Sequence, residues 1–136
     1  MRIGILGGGQ LARMLALAGY PLGFEFVFLC PDPHACAAPL GEHLCFGFDD
    51  EAALESLIGK VDRVTYEFES VPAETVEFLN GKLPVYPPPQ ALAIARDRMH
   101  EKNLFNESGI DTAPFIAVDS LDELQQAVTK IGLPAI

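Results

Sequence analysis

The sequence predicts an α/β fold built on a doubly wound, Rossmann-like parallel sheet, and three observations carry that expectation. A strand-like run, Arg2-Ile3-Gly4-Ile5-Leu6, meets Gly7-Gly8-Gly9 and then a good helix sequence. Residues 24–29 form a nearly continuous apolar run, the pattern of a strand buried on both faces of a parallel sheet. Further strand-like and helix-like stretches then alternate over short connections.

The first helix carries Leu11, Met14, Leu15 and Ala18 at helical spacing, with Arg13 off that line and Gly19 as its stop. Strand two runs into Cys30-Pro31-Asp32-Pro33, where prolines and small residues through Pro39 make a loop. A weaker strand over 44–48 precedes Asp49 and Asp50, either of which suits the cap of a helix carrying Leu54, Leu57 and Ile58 and closed by Gly59. Residues 63–68 read as strand four, and Ser70-Val71-Pro72 as a helix cap with proline in the first turn. Val76 and Leu79 supply the buried side of that helix before Gly81. Residues 83–86 are a fifth short strand with Pro84 inside it. In the common order 3-2-1-4-5, the glycine turn and the end of strand four, from Tyr66 to Glu69, become neighbours at the carboxyl edge of the sheet, where such folds bind ligands.

Pro87-Pro88-Pro89 marks a change of character. A short helix over 91–95 and a longer one over 96–108, ended by Gly109, lead to an extended stretch over 110–118. Ser120-Leu121-Asp122-Glu123 has the spacing of a capping box for a helix through Lys130, which Gly132 and Pro134 terminate. Leu133-Pro134-Ala135-Ile136 reads as the start of another strand. The expected organisation is a Rossmann-like domain over 1–89 and the helical, truncated start of a second domain over 90–136.

A formal net charge of −10 argues against a nucleic-acid partner, although backbone donors still suffice for one bound phosphate. Cys30, Cys36 and Cys45 form neither an even set nor a CxxC pair, and His34 and His43 do not complete a zinc spacing. They are expected to be buried or loop thiols, with no metal. No run approaches the roughly 18 apolar residues of a membrane span. The first residues have no signal-peptide pattern, so a cytoplasmic protein without a membrane segment is expected.

Gly7-Gly8-Gly9-Gln10-Leu11-Ala12 fits GxGxxA, a strand-turn-helix in which backbone N–H groups and the helix dipole receive an anion. The pattern alone leaves a dinucleotide and another phosphorylated ligand both open, with Asp32 placed to hold a ribose. Strand alternation puts Glu67 and Glu69 on one side and Tyr66 and Phe68 on the other. Two carboxylates repel a pyrophosphate but suit hydroxyl and amine groups, so a mononucleotide-like molecule with an amino substituent fits better than NAD. The plainer alternative is an exposed strand end with Glu69 helping to cap the next helix. In Arg96-Asp97-Arg98-Met99-His100-Glu101-Lys102 the i,i+4 pairs Arg98/Lys102 and Asp97/Glu101 are like-charged, which suggests cations kept for an anionic ligand.

Taken together and in this order, Gly-Gly-Gly-Gln-Leu-Ala-Arg-Met, Thr65-Tyr66-Glu67-Phe68-Glu69-Ser70-Val71-Pro72, the Tyr-Pro-Pro stretch, and Asp97-Arg98 followed by Lys102 and Leu104-Phe105 resemble the 5-(carboxyamino)imidazole ribonucleotide synthase family. The resemblance runs along the whole chain. It implies a pre-ATP-grasp domain followed by the first helices of an ATP-grasp domain, in a ligase of purine biosynthesis. In that family ATP and bicarbonate give carboxyphosphate, with Mg²⁺ between the ATP phosphates, and the exocyclic amine of 5-aminoimidazole ribonucleotide is carboxylated. The resemblance places Gly8, Gly9, Gln10 and Leu11 against the ribonucleotide, with Glu67 and Tyr66 binding it from strand four. It places Arg98 on ATP, with Lys102 in support, and it implies a homodimer. The family's ATP-binding lysine, phosphate loop and Mg²⁺ ligands follow the last residue here, so no catalytic residue is expected in this chain and no turnover by it alone. Two other readings stay open on the motifs: the NAD(P)-binding domain of an oxidoreductase, and a nucleotide-binding module without chemistry.

Overall fold

Four short strands rich in branched and aromatic residues pair in one direction: β1 (Arg2–Leu6), β2 (Glu25–Leu29), β3 (Glu42–Leu44) and β4 (Arg63–Tyr66), in the order β3-β2-β1-β4. The computed structural model describes residues 1–135. Registers Ile5↔Phe28 and Ile5↔Thr65 align the carboxyl ends of β2, β1 and β4 along one edge. The expected α/β class, parallel sheet and order of the first four strands are all present. The fifth strand is reduced to one rung, Val64↔Val85, made by Val64 N–H to Pro84 O at 3.0 Å and Tyr86 N–H to Val64 O at 2.9 Å. Proline has no N–H to extend a ladder, and Pro84 and Pro87 flank this rung. The third strand lies at 42–44, earlier than the expected 44–48.

Successive side chains alternate across the sheet, so Ile5 and Leu6, like Phe28 and Leu29, serve opposite faces. One face carries α2 (Glu51–Ile58), α3 (Ala73–Asn80) and α4 (Pro89–Ala95), which pack Leu54, Leu57, Val76, Leu79 and Leu92 against Leu6, Val27, Leu29 and Val64. Each such fully buried aliphatic side chain contributes roughly 1.5–3 kcal/mol. The other face carries α1 (Gln10–Gly19), where Ala12 and Ala16 pack against Ile5, Phe26 and Phe28.

Helix α1 buries a different stripe from the one its sequence draws. Leu11, Met14 and Leu15 are about half exposed, at 58%, 55% and 46%, and Ala18 is exposed as well. The buried positions are Ala12, Ala16 and Gly19, and a Cβ on Gly19 would lie 2.4 Å from Phe26 Cζ. The phenylalanines of β2 fill the space beneath the helix, so only small residues fit on its inner side.

Local signals set the other helix starts. Asp50 caps α2 by accepting from Ala53 N–H at 2.9 Å, while α3 begins after Pro72 without a side-chain cap, so Ser70 does not cap it. The described residues divide into two compact units, Met1–Arg96 and the residues from Asp97 onward. The expected boundary between residues 89 and 90 falls inside α4, whose Leu92 is only 2% exposed in the core of the first unit.

In the second unit, α5 (Arg98–Glu107) is capped by Asp97, which accepts from Met99 and His100 N–H. Helix α6 (Leu121–Ile131) is capped by Ser120, while Glu123 reaches back to Asp119 N–H at 2.8 Å. Residues 110–118 form no strand. Neither do 133–135, and Ile136, the last residue of the expected final strand, lies outside the described residues. Among the described residues no helix is long and apolar enough to cross a membrane.

Candidate functional site

The site grows from the carboxyl ends of β1, β2 and β4. Gly7 leaves β1 with φ +130°, a conformation that L side chains rarely adopt, and its N–H donates to Leu29 O at 2.9 Å. Gly8 has no room for a side chain, since a Cβ there would meet Ala35 Cβ at 2.7 Å and Cys30 Sγ at 2.9 Å. Gly9 is exposed and forms the N-cap of α1 in extended backbone. The three glycines therefore do separate work: the turn, the close approach of the β2 loop, and the open helix start.

β4 ends at Tyr66, so Glu67 stands on a loop and not in a strand. Its Oε1 accepts from Gly9 N–H at 3.1 Å, and its side chain fills the space where a Gly7 Cβ would sit. A carboxylate is thereby placed at the positive end of α1, where negative charge is favoured. One anion in the glycine cradle is thus the protein's own side chain.

Glu67 shares a cleft of about 550 Å³ with Gly7, Gly8 and Gly9. One wall is the loop after β2, with Cys30, Pro31, Asp32, His34, Ala35 and Cys36; the other holds Phe48 and Phe68, whose ring centroids are 6.2 Å apart. The β2 loop is held down on the glycines by Ala37 N–H to Gly8 O at 3.0 Å and Arg13 Nη1 to Cys36 O at 3.2 Å. Asp32 accepts from His34 N–H at 2.8 Å, an Asx turn that shapes the same loop. Thr75, 4% exposed, donates to Phe48 O at 2.8 Å and anchors the aromatic wall.

The expected binding residues are distributed unevenly around this cleft. Gly8, Gly9 and Glu67 line it. Gln10 and Leu11 follow in the exposed first turn of α1, whose leading amides have no carbonyl one turn earlier to bond. Tyr66 turns to the opposite side: it packs on the α2/α3 core and its hydroxyl donates to Pro88 O at 3.4 Å, with burial pushing its pKa up. Glu69 is exposed on the loop, so the expected pairing with Glu67 along a strand is not made.

In the second unit, Arg98 Nη1 lies 2.5 Å from Glu101 Oε2. This i,i+3 pair is the one that a reading of i,i+4 neighbours alone passes over. Lys102 Nζ sits 5.0 Å from the centroid of the Phe115 ring and 3.5 Å from Ala113 O.

Sequence reasoning missed Phe48, Phe68 and His34 as cleft residues. Position beyond a strand's carboxyl end was the available signal for His34. Nothing local marked Phe48, and strand alternation set Phe68 on the side away from Glu67, because the meeting of the two rings depends on how 45–50 and 67–72 fold back over the edge.

Residues 1–96 match the family described as the ribonucleotide synthetase pre-ATP-grasp domain. The chain belongs to that family. The pre-ATP-grasp chain is 56% identical over 136 residues to an N5-carboxyaminoimidazole ribonucleotide synthase of Pseudomonas aeruginosa, covering all of this chain and 38% of that protein. A Brucella melitensis protein of the same name is 44% identical over 131 residues, 96% of this chain and 36% of its own length. The crystal structure of an N5-carboxyaminoimidazole ribonucleotide synthetase from Thermus thermophilus superposes with a TM-score of 0.90 at 52% identity, over 97% of this chain and 37% of that one. A Staphylococcus aureus N5-carboxyaminoimidazole synthetase complexed with ADP gives 0.86 at 34% identity, over 98% and 37%. This pre-ATP-grasp chain thus spans a little over a third of the length of these relatives.

Proposed function

We propose that the chain is the ribonucleotide-holding part of an ATP-grasp ligase that carboxylates the exocyclic amine of 5-aminoimidazole ribonucleotide with ATP and bicarbonate, in purine biosynthesis. The names and identities of its relatives support the reaction. The Glu67 Oε1 to Gly9 N–H bond carries the assignment of the site. That bond fixes the carboxylate with one oxygen on the helix N-terminus and leaves the other to accept from a ribose hydroxyl or an amine. Gly8 lines the cleft beneath the β2 loop, Gly9 lets the ligand approach the backbone, and the first-turn amides at Gln10 and Leu11 offer further donors. Tyr66 supports this arrangement from the core side. A dinucleotide is disfavoured because its pyrophosphate would meet the Glu67 carboxylate in the glycine cradle.

On this proposal Arg98 and Lys102 meet ATP, exchanging the Glu101 and Ala113 partners for phosphate oxygens, and the residues from Asp97 onward open the ATP-grasp domain. Mg²⁺ supplies charge neutralisation at the ATP phosphates in such ligases. This chain's own part in that chemistry is to bind and orient the ribonucleotide and ATP. The chain alone is expected to be inactive; the whole protein is proposed to be cytoplasmic and homodimeric.

The test is a pair of substitutions in the full-length enzyme. Glu67→Gln should raise the KM for the ribonucleotide about tenfold, equivalent to roughly 1.4 kcal/mol of lost binding, with that for ATP unchanged. Arg98→Ala should do the reverse. Equal effects on both substrates, or tight NADH binding by fluorescence, would overturn the reading.

A further inference from the structure

We propose that Cys30 and Cys45 form a dithiol that closes to a disulfide and so reshapes the wall of the glycine-loop cleft. The register places the pair. β2 and β3 run parallel with Phe28↔His43 and Leu29↔Leu44 as partners, and Cys30 N–H donates to Leu44 O at 3.2 Å. That hydrogen bond belongs to Leu29↔Leu44, the last pair of the ladder, and Cys30 and Cys45 are the residues that directly follow this pair on the two strands. Neighbouring strands are about 4.8 Å apart, inside the roughly 4.4–6.8 Å between Cα atoms that a disulfide spans. Cys45 Sγ is 3.6 Å from Pro31 O, so its thiol already leans on the segment that leaves Cys30. Two residues earlier, His43 Nε2 lies 3.1 Å from Cys30 O and holds the same segment from β3.

The two thiols differ in access, and the difference orders the chemistry. Cys45 is exposed and Cys30 is buried. Burial above all raises the pKa of Cys30, the Asp32 N–H acts against it, and the nearby Asp32, Cys45 and Glu67 charges add to the rise. The attacking group is therefore the Cys45 thiolate. With a glutathione-type disulfide as oxidant, Cys45 Sγ attacks one sulfur and expels the first thiolate. Cys30 Sγ then attacks Cys45 Sγ and expels the second. Two cysteine protons and two electrons leave the protein and appear on two small-molecule thiols.

The consequence for the cleft follows from Cys30's other contact. Its Sγ is 2.9 Å from where a Gly8 Cβ would stand, so it is the floor on which the glycine loop rests. Drawing that sulfur toward β3 withdraws support from Gly8. Disulfides of this kind in reducing compartments are transient and sensing, not structural.

The full chain would be treated with glutathione disulfide, blocked with iodoacetamide and mapped by non-reducing mass spectrometry, with amide spectra recorded for Gly7, Gly8 and Gly9. The expected result is a Cys30–Cys45 linked peptide in the parent and in Cys36→Ser, lost in Cys45→Ser, reversed by dithiothreitol, and accompanied by shifts of the Gly8 amide. A bond that includes Cys36, a mixed disulfide that stays on Cys45, no reaction, or a bond formed without change at Gly8 would each overturn the proposal. None of these readouts uses the ribonucleotide, so their failure is separate from that of the proposed function.

Discussion

Glu67 and Gly9, 58 residues apart in the chain, meet at 3.1 Å, and this one hydrogen bond ties the end of β4 to the start of α1. A carboxylate from one βα unit caps the helix of another. The arrangement makes Glu67 a structural residue before it is a binding residue. Glu67→Ala should destabilise the fold by about 1 kcal/mol, the usual loss for a helix cap, and lower Tm by about 4–8 °C for a domain of this size. Glu67→Gln keeps an acceptor oxygen and should lose less. Thermal unfolding of both variants checks the order; a reversed order would remove the cap from the account.

The glycines separate by the space around them. Gly8→Ala would force a Cβ to within 2.7 Å of Ala35 and should cost about 1–3 kcal/mol by overpacking. Gly59, at the end of α2, has φ −68° and only ordinary contacts at 3.7 Å. Gly59→Ala should therefore stabilise by about 0.4–1 kcal/mol, because alanine restricts the unfolded chain and fits the folded one. Urea midpoints of the two variants should move in opposite directions.

Thr75 and Phe48 link a buried hydroxyl to the aromatic wall of the cleft. Thr75→Val keeps the shape and removes the donor, leaving the Phe48 carbonyl short of a partner. A loss of about 1–2 kcal/mol is expected, read as a lower urea midpoint with unchanged slope. A slope change would mean that more than this bond was lost.

The cap of α5 should respond to acid. Hydrogen bonds from His100 N–H and then Met99 N–H hold the Asp97 carboxyl below its ordinary value of 3.8, helped by the neighbouring His100 charge. A depressed carboxyl stabilises the folded form above its ordinary value, and that contribution is lost as pH falls through the lowered folded value. The Met99 and His100 amide shifts should titrate with a midpoint under 3.8. In Asp97→Asn, which caps without ionising, this titration should vanish; a midpoint at or above 3.8 would contradict the capping geometry.

Much of this architecture is legible one stretch at a time. The run from Arg2 to Leu6, the glycines that follow, Asp50 before α2 and the Ser120 cap of α6 act over one to five residues, so their consequences can be read locally. The same holds for the order of strands, since parallel strands with short helical crossovers have few ways to wind. What the residues by themselves determine about this protein is therefore its elements, their order and the edge at which the site lies.

Which side of an element faces what was decided by the tertiary structure. Apolar Leu11, Met14 and Leu15 point outward because Phe26 and Phe28 leave room only for alanine and glycine beneath α1. Glu67 and Phe68, which strand alternation would part, share the cleft because β4 stops at Tyr66, and Arg98 takes Glu101 one turn on. Each outcome depends on volume or charge supplied by a partner distant in sequence or off the assumed spacing. The glycine loop shows both halves: its tight turn is written in Gly7-Gly8-Gly9, but its occupant, the Glu67 carboxylate, comes from β4's end and is set only by the packed sheet.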